Sequence, residues 1–212
     1  MRNLFVLLII CLCTSCADRE VQLPHTSNND ITEIVDVSPV YIFYDESMPD
    51  NVDFNRRNMI STTNWLVNID KRLTLKQLLP HLQYLYEKRH GDGMHTNENA
   101  KNYFTCFNPD TENLAFIEFT NTNYTSDLPS MQMEDKKQYV KITSNGKVEP
   151  YNNTGVSYES FTTFLSEIQN QNEIVLVLSG QLSMQAYINL KSAIASDKNM
   201  DVIISTTEFI FN

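Results

Sequence analysis

An uninterrupted apolar run near the end of the chain limits the fold more than any other feature of this sequence. The run, EIVLVLSG, covers residues 173–180, which is the length of a strand, and it ends at a glycine. Alternating polar and apolar residues are typical of a strand with one exposed face, whereas a continuous run indicates a strand that is covered on both faces. The segment therefore predicts the central strand of a sheet that carries helices.

The segments on either side of this run complete an α/β unit. Upstream, residues 138–152 contain two β-rich stretches around Asn145-Gly146, the dipeptide most typical of a tight hairpin. Ser157 and Ser183 each precede apolar residues at helical spacing, which predicts two capped helices. The closing residues MDVIISTTEFIF predict a last strand or strand pair, and TEFIFN is either an edge strand that pairs with a partner or the last strand of the sheet. The predicted order is β-β-α-β-α-β.

The first half of the chain predicts a similar but less regular unit. Apolar residues at odd positions from 35 to 43, interrupted by Pro39, indicate an edge strand. Trp65, Val67 and Ile69 alternate with polar residues, as in a half-buried strand. Farther along, the segments NYFTCF and NLAFIEF form a β-rich pair around a turn at residues 108–110.

A helix is predicted between these strands, in LTLKQLLPHLQYLYEKRH. Thr74 and Gln77 have the spacing of a capping box, and leucines recur at helical spacing after them. Pro80 lies within this pattern, so either the helix is kinked there or its regular part begins near Leu79.

These patterns predict an α/β (α+β) fold with two diverged lobes, each a sheet with helices. The polar residues 120–137 have no hydrophobic period and predict a linker between a first lobe at 33–119 and a second at 138–212. The segments WLVNIDKRLTLKQLLPHL and YVKITSNGK…VSYESFTTFL both run from strand to turn to capped helix. They suggest an internal repeat, which the sequence does not decide.

The first 32 residues predict export and anchoring. Residues 1–15 have a basic start and a short apolar core, which is too short to span a membrane and is typical of a secretory signal. Cys13-Thr14-Ser15-Cys16 resembles a bacterial lipobox, so Cys16 is the predicted lipidation site. An ordinary cleaved signal is the alternative. Residues 16–32 predict a flexible tether, at most ~50 Å long when fully extended.

The charge of the chain excludes some partners. The formal net charge is −10, so the surface repels nucleic acid and anionic lipid head groups, and membrane attachment is expected through a lipid anchor. With five glycines and no GxGxxG, P-loop or GxSxG motif, the chain predicts no nucleotide site and no cofactor.

Residues 139–207 resemble the periplasmic domain of the ExbD/TolR family, subunits of the energy-coupling motors of the bacterial envelope. The resemblance is carried by four segments: VKITSNGKV, VSYESFTTFLSEI, EIVLVLSGQLSMQAYINLKSAIASDK and MDVIISTTE. Val156-Ser157 matches the start of the family's first helix, Tyr187 lies in the second, and residues 202–204 match the last strand. The resemblance implies the β-β-α-β-α-β topology.

Departures from the family limit what the resemblance implies about function. ExbD-type subunits have an N-terminal transmembrane helix with an acidic residue, whereas residues 1–15 include no carboxylate. The resemblance therefore implies a structural or partner-binding role, without proton conduction. Gln181 and Leu182 also replace residues that tend to be charged in the family.

Three groups of side chains are candidates for chemistry. In HGDGMH, His90, Asp92 and His95 are candidate ligands of Zn²⁺ or another transition metal, with an exposed loop as the alternative. Cys106 alternates with aromatic residues and predicts a buried, inert thiol. Seven aromatic residues of the first half predict either core packing or a protein-binding face: Tyr84, Tyr86, Tyr103, Phe104, Phe107, Phe116 and Phe119.

Two functional hypotheses follow. The first is a non-catalytic protein, anchored by lipid in the bacterial cell envelope, that binds another envelope protein or a second copy of itself, for example through the terminal strand TEFIFN. The second is a surface protein that depends on a metal or binds glycans through the loop at residues 90–95.

Overall fold

The computed structural model describes residues 19–91, 97–127, 137–151, 155–167, 173–196 and 203–211. The fold is α+β with two lobes, as predicted. The first lobe contains β1 (Val37–Tyr44), β2 (Val52–Asn55), β3 (Asn64–Ile69), α1 (Leu75–His90), β4 (Asn102–Asn108) and β5 (Asn113–Glu118). The second contains β6 (Asn123–Thr125), β7 (Lys137–Ile142), β8 (Val148–Pro150), α2 (Phe161–Glu167), β9 (Glu173–Ser179), α3 (Met184–Ser196) and β10 (Thr207–Phe211).

From β7 onward, the second lobe has the predicted order β-β-α-β-α-β, and β6 is an additional strand. β9 lies between β7 and β10, and its residues from Ile174 to Ser179 are buried, as expected for a strand covered on both faces. β7 and β8 form the predicted hairpin, in which Gly146 has the left-handed φ of +81° that favours glycine. Ser183 caps α3 by accepting a hydrogen bond from the Ala186 amide. Ser157 is not a cap, since Ser160 accepts from the Thr163 amide at the start of α2.

In the first lobe, the prediction that β1 is an edge strand is wrong. The sheet order is β2-β1-β3-β4-β5, and the buried residues of β1 are Ser38, Val40 and Ile42. Pro39 is tolerated in this interior strand because its nitrogen lies on the side of β1 where β2 pairs. β2 pairs only with residues 41–44 of β1 and so does not reach the proline. No ladder hydrogen bond is lost at the proline.

The predicted helix starts at its capping box and continues through Pro80. Thr74 and Gln77 make both hydrogen bonds of the box, so the alternative start near Leu79 is wrong. Because proline has no amide hydrogen, Pro80 cannot donate to the carbonyl of Lys76, four residues earlier in the helix. Lys76 is exposed. Leu75, Leu78, Leu82 and Leu85 are buried.

The two sheets share one topology over four strands. The order β2-β1-β3-β4 matches β8-β7-β9-β10, with an antiparallel hairpin followed by two parallel pairs in both sheets. α1 connects β3 to β4 as α3 connects β9 to β10. The segments paired in the repeat hypothesis were wrong, because β3–α1 corresponds to β9–α3 and not to β7–α2. The fifth strands differ: β5 is antiparallel to β4, and β6 is parallel to β10.

The lobes meet where α1 and α3 begin, through reciprocal hydrogen bonds. Thr74 and Ser183, the two caps, face each other in an antiparallel bridge. The Leu75 amide donates to the Leu182 carbonyl at 2.9 Å, and the Met184 amide donates to the Leu73 carbonyl at 2.7 Å. The turn before each helix thus accepts a hydrogen bond from a first-turn amide of the other lobe's helix. The junction is therefore approximately two-fold symmetric.

The predicted linker at 120–137 is partly a strand. Within it, β6 pairs with β10 and carries the buried Tyr124, and β7 begins at Lys137. Residues 128–136 of this segment lie outside the described residues. β10 is consequently an interior strand between β6 and β9, so the expectation of a free terminal edge strand is wrong there.

The predicted flexible tether is packed against the fold wherever the structure describes it. We name residues 19–31 the strap. The Lys71 amide donates to the Gln22 carbonyl, and His25 forms a parallel bridge with Phe107 in β4. Later, the Phe116 amide of β5 donates to the Ile31 carbonyl. The polar composition misled the prediction, since hydrogen bonds hold much of this segment and Pro24 is its one buried apolar residue.

Candidate functional site

A cleft of about 730 Å³ lies beside the junction of the two lobes. The interlobe cleft, as we name it, is bounded by the segment before β2, by the first turns of α1 and by the turn that follows β9. The residues that line it include Met48, Asp50, Asn51, Lys76, Gln77, Pro80, His81 and Gln181. Clefts between structural units are common binding sites, so this position makes it the candidate functional site.

One wall of the cleft is a backbone in an unfavourable conformation. Asp50 and Asn51 both have left-handed φ values, 55° and 57°, which are uncommon outside glycine. The Gln77 side-chain amide donates to the Asp50 carbonyl at 2.7 Å, and the Asp45 amide donates to the Asn51 carbonyl at 3.0 Å. Such residues persist where the surroundings fix them, and they concentrate at functional sites.

The other walls combine different polar groups. Lys76 and Gln181 are exposed, which leaves an ammonium and an amide at the mouth of the cleft. The His81 ring packs edge-on against Phe54 at 4.9 Å. Burial, and then the nearby Arg56 guanidinium, lower the pKa of His81 below its ordinary value. The imidazole is therefore neutral at neutral pH and can both donate and accept a hydrogen bond.

A smaller cavity of about 370 Å³ lies near the carboxyl end of β1 and contains Arg72. Asp70, fully buried, accepts two side-chain hydrogen bonds from Arg72 at 2.8 Å and a third from the Arg72 amide at 3.0 Å. Burial raises the pKa of Asp70, but hydrogen bonds from Arg72 and Gln22 outweigh it, so the net pKa is lowered. The Asp70–Arg72 pair therefore stabilises the turn between β3 and α1.

A buried polar network joins β6, β10 and α3. Glu208 accepts from Tyr187 at 2.7 Å and from Lys191 at 2.8 Å, and the Tyr124 hydroxyl lies 3.0 Å from that of Tyr187. Burial, and then the charge of Glu208, raise the pKa of both tyrosines well above the ordinary value. The hydroxyls therefore remain protonated and act as donors, which suits a structural role in the core.

Arg89 is a second structural cation, located near the end of α1. Its guanidinium carbon lies 3.8 Å from the centre of the Trp65 ring, and it donates to Asn102 Oδ1 and to the carbonyls of Ser61 and Thr63. Burial lowers the pKa of Arg89 to about 10, so the group remains charged at neutral pH.

The predicted metal ligands are only partly within the described residues. His90 ends α1, where its ring stacks on Tyr86 and its Nδ1 lies 2.9 Å from the Tyr86 carbonyl. Asp92, His95 and the lipidation candidate Cys16 lie outside the described residues. Within the described ranges, no group of three histidine, cysteine or acidic side chains has the arrangement of a metal site. The metal hypothesis stays a prediction.

Cys106 is a buried thiol, as predicted. Its side chain is inaccessible to solvent, and burial raises its pKa to about 12, far from the range of a nucleophilic cysteine. Four of the seven aromatic residues under question are core residues: Tyr103, Phe104, Phe116 and Phe119. The other three are partly exposed.

The residues of the interlobe cleft were not identified from the sequence. They come from the segment before β2, for which no element was predicted, from the first turns of α1 and from a turn more than 100 residues later. One signal is present in the sequence. Leu73-Thr74-Leu75 and Leu182-Ser183-Met184 each place a hydroxyl residue between two apolar residues shortly after a strand, which indicates equivalent turns.

Comparison of the chain with protein-family models, curated proteins and solved structures gave no significant match. None of the helices in the described ranges is long and apolar enough to cross a membrane.

Proposed function

We propose that this protein is a non-catalytic binding module, anchored by lipid in a bacterial cell envelope, and that the interlobe cleft receives its ligand. The cleft carries the proposal. It combines a volume of about 730 Å³ with an exposed cation, amides and a neutral imidazole, held by a fixed wall. Such convergence of polar groups in a preformed cleft is typical of binding sites.

Buried ionisable groups elsewhere support binding rather than catalysis. Glu208 and Lys191 are paired in the core, and Asp70 is paired with Arg72. The Cys106 thiol is protonated at neutral pH because its pKa is about 12. Each of these groups is engaged in packing or in a hydrogen bond that stabilises the fold, which leaves the exposed cleft residues for the ligand.

The strap determines where an anchor would lie. Arg19 pairs with Asp45 and Asp53 next to the turn between β1 and β2. Two residues lie between Cys16 and Arg19, so these two residues are at most ~10 Å apart in an extended chain. A lipid on Cys16 would therefore hold the protein against the membrane, with the β1–β2 end nearest to the bilayer.

Anchoring is tested by substituting the predicted lipidation site. The full chain is expected to partition into detergent, and the C16S variant is expected to remain in the aqueous phase. Cys11→Ser, which lies outside the four lipobox residues, is the matched control and should still partition. If C16S also partitions into detergent, the anchor is not attached at Cys16 and this part of the proposal is wrong.

Ligand binding at the cleft is tested by a photoreactive amino acid at position 49, on the rim of the cleft, in cells that make the protein. We expect an adduct that is lost when Lys76→Met is added, and that persists with Lys88→Met, an exposed lysine elsewhere on α1. An adduct insensitive to Lys76→Met, or the same adduct from position 88, would show that the cleft is not the site.

A further inference from the structure

The approximate two-fold symmetry of the junction gives each cleft residue a counterpart in the other lobe. Thr74 corresponds to Ser183, so Lys76 corresponds to Gln185 two residues farther along each helix. The hydrogen bonds confirm this register, since the Lys76 amide donates to the Gly180 carbonyl and the Gln185 amide donates to the Lys71 carbonyl. By the same register Gln181 is the counterpart of Arg72.

In the second lobe, this position is occupied by the strap. The His25 amide donates to Gln185 Oε1 at 2.8 Å, and Gln185 Nε2 donates to the His25 carbonyl at 2.9 Å. One side-chain amide thus satisfies both main-chain groups of a single residue. Recognition of this kind reads an extended backbone and depends little on the side chain of the bound residue.

A second contact keeps the strap along α3. The Thr26 hydroxyl lies 2.7 Å from the Ser192 hydroxyl, two turns beyond Gln185 on the same helix. The His25 ring packs edge-on against Phe107 at 5.7 Å. A short extended segment is therefore held by a glutamine in the first turn of α3, a hydroxyl farther along and an aromatic ring.

In the first lobe, the corresponding position is open. Among the residues that the structure describes, none forms a hydrogen bond with the Lys76 ammonium, and the interlobe cleft lies beside it. Gln181 at the mouth has the same amide group that Gln185 uses on the strap. Met48 and Pro80 add apolar surface on either side.

We infer that the interlobe cleft binds an extended peptide segment of a partner protein at the first turns of α1, as the first turn of α3 holds the strap. Gln181 holds main-chain groups of the peptide, Lys76 donates to its carbonyls, and Met48 and Pro80 contact its apolar side chains. Because the chain has a net charge of −10, a neutral or basic segment is favoured over an acidic one. This inference rests on the proposed function and specifies its ligand.

The test uses a display library of random twelve-residue peptides selected on the full-length protein. We expect enriched peptides with micromolar affinity and few acidic residues. Their affinity should fall at least tenfold in Gln181→Ala and in Lys76→Met, which lacks the ammonium donor, and should be unchanged in Lys88→Met. Methylation of single peptide nitrogens should weaken binding at one or two positions, as expected for main-chain recognition.

A further variant guards against indirect effects on folding. Met48→Trp places a large ring in the cleft and should abolish peptide binding while the urea midpoint stays near that of the wild type. The inference is overturned if no peptide is enriched, or if enriched peptides bind the cleft variants as well as the wild type. A cellular adduct at position 49 without peptide binding would reject a peptide ligand and retain the cleft as a site for another ligand.

Discussion

Tyr187 donates its phenolic hydrogen to Glu208 Oε2 across 2.7 Å in the buried core. The other carboxylate oxygen accepts from Lys191 at 2.8 Å, and Tyr124 donates to the oxygen of Tyr187 at 3.0 Å. One carboxylate therefore connects α3 to β10 and, through Tyr124, to β6. The backbone carbonyl of Tyr124 also accepts from Gln83 of α1, so the network extends to the first lobe.

Removing this carboxylate is expected to destabilise the protein strongly. Glu208→Ala leaves the Lys191 ammonium and the Tyr187 hydroxyl without their acceptor, and breaking a buried ion pair costs about 3–5 kcal/mol of the free energy of unfolding. Urea denaturation measures the loss. Glu159→Ala is the matched control, because Glu159 pairs with Lys147 at the surface and its removal should change little. Equal losses in the two variants would contradict the structural role of the network.

Arg89 is expected to be irreplaceable by lysine. Its fork reaches three acceptors while the same group stacks on Trp65, and an ammonium lacks both the fork and the planar face. Arg89→Lys should lower the free energy of unfolding by about 2–3 kcal/mol, since buried acceptors lose their partners. It should also change the emission of the chain's single tryptophan. Arg57→Lys, an exposed arginine, should leave both measurements unchanged.

The sequence predicted the elements whose burial pattern is local. The run at 173–179 identified β9, and Trp65, Val67 and Ile69 identified the inward face of β3. The capping box located the start of α1 because both of its hydrogen bonds are made between residues three apart. In β1 the same reasoning selected the wrong face, because Tyr41 and Phe43 are aromatic but only half-buried, whereas Val40 and Ile42 face the core.

The cleft depended on contacts that no local pattern encodes. Thr74 and Ser183 are far apart in the sequence, and their pairing is what brings Gln181 beside Lys76. Close approach also requires Gly180, where an added Cβ would lie 2.9 Å from the Phe211 carbonyl oxygen and 3.2 Å from the Lys76 Cβ. The strap was missed for a related reason, because its main-chain hydrogen bonds do not depend on hydrophobic side chains.

Asp70 predicts a pH dependence of stability. Its pKa is below its ordinary value in the folded state, so it binds protons less readily than the unfolded chain, where the pKa is about 3.9. Its contribution is therefore complete above about pH 5 and is lost as the pH falls through the folded pKa. Asp70→Asn should reduce stability at pH 7, and the difference from the wild type should shrink below pH 4. Asp110→Asn, at an exposed turn, is the control; a difference independent of pH would contradict the assignment.

The strap is expected to be protected from hydrogen exchange, in contrast to a flexible tether. The Thr26 amide donates to the Phe107 carbonyl at 3.0 Å, and the His25 amide donates to Gln185. Gln185→Ala removes two hydrogen bonds to the strap. If this lowers the free energy of opening the strap by about 1.4 kcal/mol, exchange in the peptide covering residues 19–31 should accelerate about tenfold. Gln181→Ala, in the turn that precedes α3, is the matched control and should leave the exchange rate of this peptide unchanged. Exchange at the rate of an unstructured chain in the wild type would show that the strap is not docked in solution.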